Sequence, residues 1–270
     1  MATAEDRCGV GFSTDMYRTR SQKPNAVFDC RWLMQIAAGA HIPCVVRGRQ
    51  LARPRRERTS IMEDLYNRLS KDDAVVLLVD HQTGLISGLV RDQTPEAFKN
   101  NVEALADTAK FFNLPVIIST SFENGPNGPF LAGIKNMFPE AAYIPRPGQI
   151  NAWDNDDFVN AIKATGKKQL IIAGVVTEVC VAFPALSALK AGYEVFVVTD
   201  ASGTMNEITR DASWLRMQQA GAQLTSWFAV AAELQRDWRN DVEGFGQLIS
   251  SHLPGYQTVI GSHMASQPGA

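Results

Sequence analysis

The stretch QLIIAGVVTEVCVAFPALSALKAGYEVFVVTD, residues 169–200, decides the fold. Its first run, Leu170–Val175, is apolar without interruption, and a second Val-rich run follows at Glu194–Thr199. Between them lies the amphipathic segment Glu178–Ala191. An uninterrupted apolar strand has both faces covered, which is the pattern of a parallel sheet packed between helices.

Working outward, the same alternation repeats. Short apolar runs occur at Ala74–Val79, Pro115–Ser119, Tyr143–Ile144 and Ala222–Phe228. The amphipathic segments Pro95–Phe112, Asp156–Thr165 and Glu207–Ala220 separate them. In the first of these, Phe98, Val102, Leu105, Ala109 and Phe112 recur at the three- and four-residue spacing of one helix face. Right-handed crossovers between such strands predict a three-layer α/β/α, Rossmann-like domain with a parallel sheet of about six strands. A further helix is expected over Trp238–His252. Periodicity leaves the strand order open.

The amino-terminal part differs in character. Residues 1–61 hold 11 basic residues against 5 acids, so the rest carries the net negative charge of a chain at -2 overall. The segment has no sustained periodicity, and RGRQLARPRRERTS, residues 47–60, reads as a solvated basic linker. It is expected to be a basic, weakly ordered extension, non-native if the natural start is Met62. A nucleic-acid-binding arm or a targeting peptide is the competing reading. Residues 62–255 are expected to form the domain. Residues 256–270 are expected to be a tail, in which GSHMAS (261–266) has the form of a vector-derived scar.

The near-neutral charge gives no reason to expect nucleic acid or an anionic membrane as partner. No apolar run reaches the roughly 20 residues of a membrane span, and the start lacks the layout of a secretory signal. Cys8, Cys30, Cys44 and Cys180 form neither CxxC pairs nor a zinc-finger spacing. A reducing, cytoplasmic setting without a disulfide framework is expected.

In open parallel sheets, ligands bind beyond the carboxyl ends of the strands. Asp80 ends the first run, Arg146 follows the third, and Cys180 opens the helix after the fourth. An acid, a fixed cation and a thiol thus converge on one sheet edge. Cys180, flanked by Val179, Val181 and Ala182, reads either as a small buried hydrophobe or as a nucleophile. A helix amino terminus and a nearby Arg146 would favour the thiolate. Asp80 reads as a turn cap or as a proton acceptor. Arg146 is either a charge stabiliser or a surface partner of Asp154 or Asp156.

His81 follows Asp80 and, because successive strand residues point to opposite faces, need not reach the same site. Neither a histidine-dependent triad nor a zinc site is expected. The segment ENGPNGP, residues 123–129, lacks a phosphate-binding pattern and reads as a turn or lid.

With these residues in hand, VLLVDHQTGL (76–85), RPGQINAWDNDDFV (146–159), GVVTEVCV (174–181) and VFVVTDASGT (195–204) resemble the isochorismatase-like cysteine hydrolase superfamily. Its YcaC-like branch is the nearest in pattern. The likeness covers about residues 70–255. It implies a catalytic Asp80–Arg146–Cys180 triad in which arginine replaces the lysine of most members. It also implies a cis peptide at Val175–Val176 and an oxyanion hole from the Val176 and Cys180 amides. Phe122, Asn151, Trp153, Thr177 and Phe183 would line the substrate site by the same analogy, although core packing accounts equally for Phe183. The Asp/His metal ligands of nicotinamidases are missing from TSFENGPNGP (120–129), so neither metal nor cofactor is expected.

The implied activity is hydrolysis of a small-molecule amide, or a related C–N or acyl bond, through a Cys180 thioester, with a homo-oligomer such as an octamer as the assembly. Isochorismate-type vinyl-ether hydrolysis and a non-catalytic redox or electrophile sensor are the alternatives.

Overall fold

The computed structural model describes residues 66–266. The expectations for residues 1–61 therefore lie outside the described residues. Six strands, β1 (Ala74–Val79), β2 (Val116–Ser121), β3 (Ala142–Arg146), β4 (Gln169–Gly174), β5 (Glu194–Val198) and β6 (Gln223–Thr225), form one sheet. Their order is β3-β2-β1-β4-β5-β6 and every pairing is parallel. Strand order reverses between β1 and β4, which makes their carboxyl ends the switch point where such sheets bind ligands.

Two apolar layers sandwich the sheet, and β1 shows why. Ala74, Val76 and Leu78 enter one buried cluster, while Val75, Leu77 and Val79 enter the other. Alternate residues point to opposite faces, so a strand covered on both must be apolar throughout. Burial of each such side chain is worth roughly 1.5–3 kcal/mol. The helices α1 (Thr83–Leu89), α2 (Pro95–Phe111), α3 (Ala132–Met137), α4 (Asp156–Ala164), α5 (Ala182–Lys190), α6 (Glu207–Gln219), α7 (Trp227–Gln235), α8 (Val242–His252) and α9 (Pro254–Ala265) complete the described residues. No helix among them is long and apolar enough to cross a membrane.

Local chemistry sets the helix starts. Thr94 accepts the Ala97 N–H at 3.2 Å, with Pro95 at the first helical position. Asn155 caps α4 through the Phe158 N–H at 3.0 Å, and Asn206 caps α6 through that of Thr209 at 2.9 Å. Ser226 caps α7 through Ala229, which explains why the strand expected to reach Phe228 stops at Thr225. The helix expected from Glu178 is divided: Thr177–Val181 is a wide π turn, and α-geometry begins at Ala182. Trp238–Asn240 is a separate 3₁₀ turn, with Asp241 capping α8. Residues 256–265 fall in α9, so a helix crosses the boundary expected at 255.

Gly174, the last residue of β4, lets the backbone of β1 approach closely. A Cβ there would stand 2.3 Å from the Val79 carbonyl oxygen, which is main chain and cannot rotate away. Gly174→Ala is expected to cost about 1–3 kcal/mol, read as a lower denaturation midpoint at unchanged m-value.

Candidate active site

Asp80 leaves β1 with φ at +59°, a left-handed conformation that aspartate tolerates better than bulky residues. Its N–H donates to the Ser119 carbonyl at 2.8 Å, and its side chain is fully buried. On β3, two strands away, Arg146 is 1% exposed. Arg146 Nη2 donates to Asp80 Oδ1. Its Nε donates to Ser119 Oγ at 3.0 Å, and Nη1 donates to the carbonyls of Gln149 at 2.6 Å and Ile150 at 3.2 Å. A planar guanidinium satisfies all these acceptors at once, which a single ammonium could not. The competing partners Asp154 and Asp156 play no part in this set.

The second oxygen, Asp80 Oδ2, is buried without a hydrogen-bond partner among the described residues. The Cys180 thiol lies near enough for the two groups to perturb each other's ionisation, yet they form no hydrogen bond of regular geometry. Cys180 sits in the π turn that follows β4, half-buried as a residue. Burial and then the Asp80 carboxylate push its thiol well above the usual range; the Val176 N–H and Arg146 oppose this only in part. That reverses the expectation of a resting thiolate, because burial and the Asp80 charge outweigh the Arg146 guanidinium. Asp80 is itself raised, since desolvation outweighs the Arg146 charge. The resting pair is a thiol beside a destabilised carboxylate.

The Val175–Val176 peptide is cis. The Val176 amide lies near enough to the Cys180 thiol to lower its pKa slightly, whereas the Cys180 N–H donates to the Val176 carbonyl at 2.9 Å. Of the two amides expected for an oxyanion hole, Cys180's could take part only by sharing that bond.

The other expected residues divide. Phe122 is 53% exposed and its N–H donates to the Arg146 carbonyl at 3.0 Å, so it stands at the same edge. Thr177 lies within the Cys180 turn with its Oγ1 buried and unpartnered among the described residues. Asn151 caps the turn after β3, accepting the Trp153 N–H at 3.1 Å and donating to Ser187 Oγ at 3.1 Å. Trp153 packs edge-on against Tyr193 and Phe158. Phe183 joins the apolar layer on that face, with the Arg216 guanidinium 5.7 Å from its ring centre. Packing thus accounts for these last two side chains. Ser119 and Gln82, both fully buried, are the site residues that pattern reading overlooked. The available signal was a polar side chain within or just after an otherwise apolar strand.

A cleft of about 440 Å³, lined in part by Asn113, Pro115, Phe138 and Ala142, opens at the amino ends of β2 and β3. Its volume does not make it the site, because the chemically matched side chains are at the opposite sheet edge. No cluster of three or more His, Cys, Asp or Glu side chains suited to a metal occurs among the described residues.

His81 is fully buried between Phe98 and Phe130, and its Nε2 donates to the Ala201 carbonyl at 2.9 Å. Burial lowers its pKa from 6.5 to about 4. A depressed folded-state value means the unfolded chain takes up the proton first. The corresponding stability is present above pH 6.5 and is lost as pH falls toward 4, amounting to about 3 kcal/mol. Subtracting the stability–pH curve of His81→Gln from that of the wild type is expected to isolate this slope and cancel those of the buried carboxylates.

A three-layer α/β/α domain with carboxylate, guanidinium and thiol gathered at its switch point is the class that fold and site define. Residues 74–228 match the isochorismatase domain, and the chain belongs to the isochorismatase family. It is 67% identical over 198 residues to the probable hydrolase YcaC of Escherichia coli K12, covering 73% of this chain and 95% of that protein. A solved YcaC from Pseudomonas aeruginosa, with hexane-2,5-diol and covalent acrylamide, aligns at TM-score 0.72 and 67% identity, covering 73% of this chain and 98% of that one. The E. coli YcaC structure, described as an octameric hydrolase of unknown specificity, aligns at TM-score 0.73 and 66% identity over 75% of this chain and 98% of that one.

Proposed function

We propose that the protein is a hydrolase of small-molecule amides in which Cys180 is the nucleophile, Asp80 the proton carrier and Arg146 the fixed counter-charge. The observation that carries this reading is one buried carboxylate whose Oδ1 is held by a guanidinium, whose Oδ2 has no partner among the described residues, and which lies near enough to the Cys180 thiol for each to perturb the other's ionisation. As sulfur attacks the amide carbonyl, Oδ2 takes the thiol proton. A raised carboxylate pKa makes that transfer better matched than for a free aspartate. The Val176 N–H donates to the developing oxyanion in this scheme, with the Cys180 N–H, already bonded to the Val176 carbonyl, as a shared second donor. Collapse breaks the C–N bond, and the departing nitrogen receives the proton from Asp80. Water then attacks the thioester with Asp80 as base, releasing the acid and restoring the thiol. The donor set offers chain residues for every proton movement, so the scheme uses no metal or cofactor.

The covalent acrylamide in the P. aeruginosa relative supports a reactive, amide-accepting site here. In this reading the catalytic domain begins near residue 62 and takes in the helix that crosses position 255, residues 1–61 precede it as an extension, and the protein works in a reducing cytoplasm. The octameric E. coli relative and the exposed Ile208 and Leu215 of α6 support a homo-oligomer. Screening linear and cyclic amides and ureas, with intact-mass detection of an acyl group on Cys180, tests the reading. An acyl adduct with turnover sustains it. Oxidant-driven modification of Cys180 without turnover would replace the hydrolase by a redox sensor.

A further inference from the structure

Gln82 is fully buried two residues beyond Asp80, and its side-chain amide is committed at both ends. Its Oε1 accepts the Ser121 N–H at 2.8 Å, while Nε2 donates to the carbonyls of Ser121 at 3.1 Å and Gly128 at 2.6 Å. The neighbouring backbone closes on the same loop. Thr83 N–H donates to Pro129 and Gly84 N–H to Asn127, both at 2.9 Å, and Leu131 N–H donates to His81 at 3.0 Å. Asn127 Nδ2 adds a bond to the Ser121 carbonyl at 2.8 Å.

Two glycines make this approach possible. A Cβ on Gly84 would stand 2.1 Å from the Pro126 carbonyl oxygen, and Gly128 has φ at +73° with Thr83 Oγ1 2.7 Å from its Cβ position. The loop read as a turn or lid is therefore a wall pinned to the strand end that carries Asp80.

That wall holds Phe122 in an unusual pose. Its φ is +48°, a conformation that persists for a bulky residue only when its surroundings impose it. The ring lies against Gly125, where a Cβ would meet Cδ1 at 2.2 Å, while half of the residue stays exposed. The main chain of Phe122 is bonded to Arg146, so the ring is held at the carboxyl edge of the sheet.

We propose that Gln82 is a positioning residue that fixes the 122–129 wall, so that the Phe122 ring offers a flat apolar face to the substrate. Amides carrying an aromatic or planar apolar substituent are then the preferred substrate class. This rests on the reading of Cys180 as nucleophile.

The test measures covalent modification of Cys180 in the full chain by acrylamide and by N-phenylacrylamide. In each reaction the sulfur bonds the terminal alkene carbon, and the thiol proton ends on the carbon beside the carbonyl. Each rate is divided by that of free cysteine with the same reagent. The wild type is expected to favour the phenyl compound by about tenfold, the scale of one aromatic contact. Gln82→Leu, Gly84→Ala and Phe122→Ala are each expected to reduce that ratio toward one. Gln82→Leu is also expected to accelerate hydrogen exchange at the Ser121 amide.

Gly84→Ala leaves the Gln82 side chain intact and reaches the wall independently, so the test stands even if Gln82→Leu folds poorly. A wild type without preference overturns the proposal, as does a preference retained in both Gly84→Ala and Phe122→Ala. Failure of either reagent to label Cys180 in the folded wild type would instead remove the nucleophile reading beneath it, and the proposal with it.

Discussion

Replacing Cys180 by alanine is expected to abolish turnover of any amide the wild type cleaves, and Asp80→Asn to lower it by about 10²–10⁴-fold. The two variants should nevertheless behave differently toward alkylating agents. In the wild type the thiol is raised by burial and by the adjacent carboxylate, so its reaction with iodoacetamide should keep accelerating beyond the pH at which a free thiol levels off. Asp80→Asn removes the negative neighbour while leaving burial in place. The alkylation profile should therefore move to lower pH even as turnover collapses. Intact-mass kinetics across pH, run beside the turnover assay, reads both effects. Full turnover in Cys180→Ala or Asp80→Asn would end the proposed mechanism, because each variant removes a group that the scheme uses in every step.

Removing Arg146 is expected to have the largest effect on stability. Arg146→Met preserves much of the apolar stem but leaves a fully buried Asp80 carboxylate without its partner. Breaking a buried pair from one side costs about 3–5 kcal/mol. The sign of the pH dependence follows from the direction of the Asp80 shift. Its folded-state pKa already lies above the unfolded value of 3.8 and would rise further without the guanidinium. A raised carboxylate contributes stability below its unfolded pKa and loses it as pH rises through the folded one. The deficit relative to wild type should thus be greatest at neutral pH and shrink on acidification, as urea titrations at several pH values would show. Arg146→Lys should recover charge but not the bonds to Ser119, Gln149 and Ile150 together, giving partial recovery of both stability and turnover.

Legibility varied with the range of the forces involved. The β1, β4 and β5 runs were readable because a strand buried on both faces must be apolar at every position, and α2 and α4 because their apolar faces repeat helically. Short helices such as α1 and α3 carry too few turns to show a period. The strand at Ala222 was extended too far because the Ser226 cap lies inside an apolar run. For 123–129 the turn was legible, but what holds it was not. Glycine, proline and asparagine mark a turn in any context, but the buried Gln82 and the backbone bonds beside it tie this one to the end of β1, and the three Gln82 bonds are to residues about forty positions away.

The sequence by itself determined the layered parallel sheet, the three chemically distinct side chains at strand ends, and the family they signal. Tertiary structure decided which atoms those side chains address. Arg146 bonds Asp80, the Cys180 thiol is raised by burial and the adjacent carboxylate, its own N–H is partly committed, and Gln82 anchors the wall. The division has one physical cause. Periodic burial is written residue by residue along the chain, whereas ionisation and hydrogen-bond choice depend on the distances and solvent exclusion that arise only when separate strands come together.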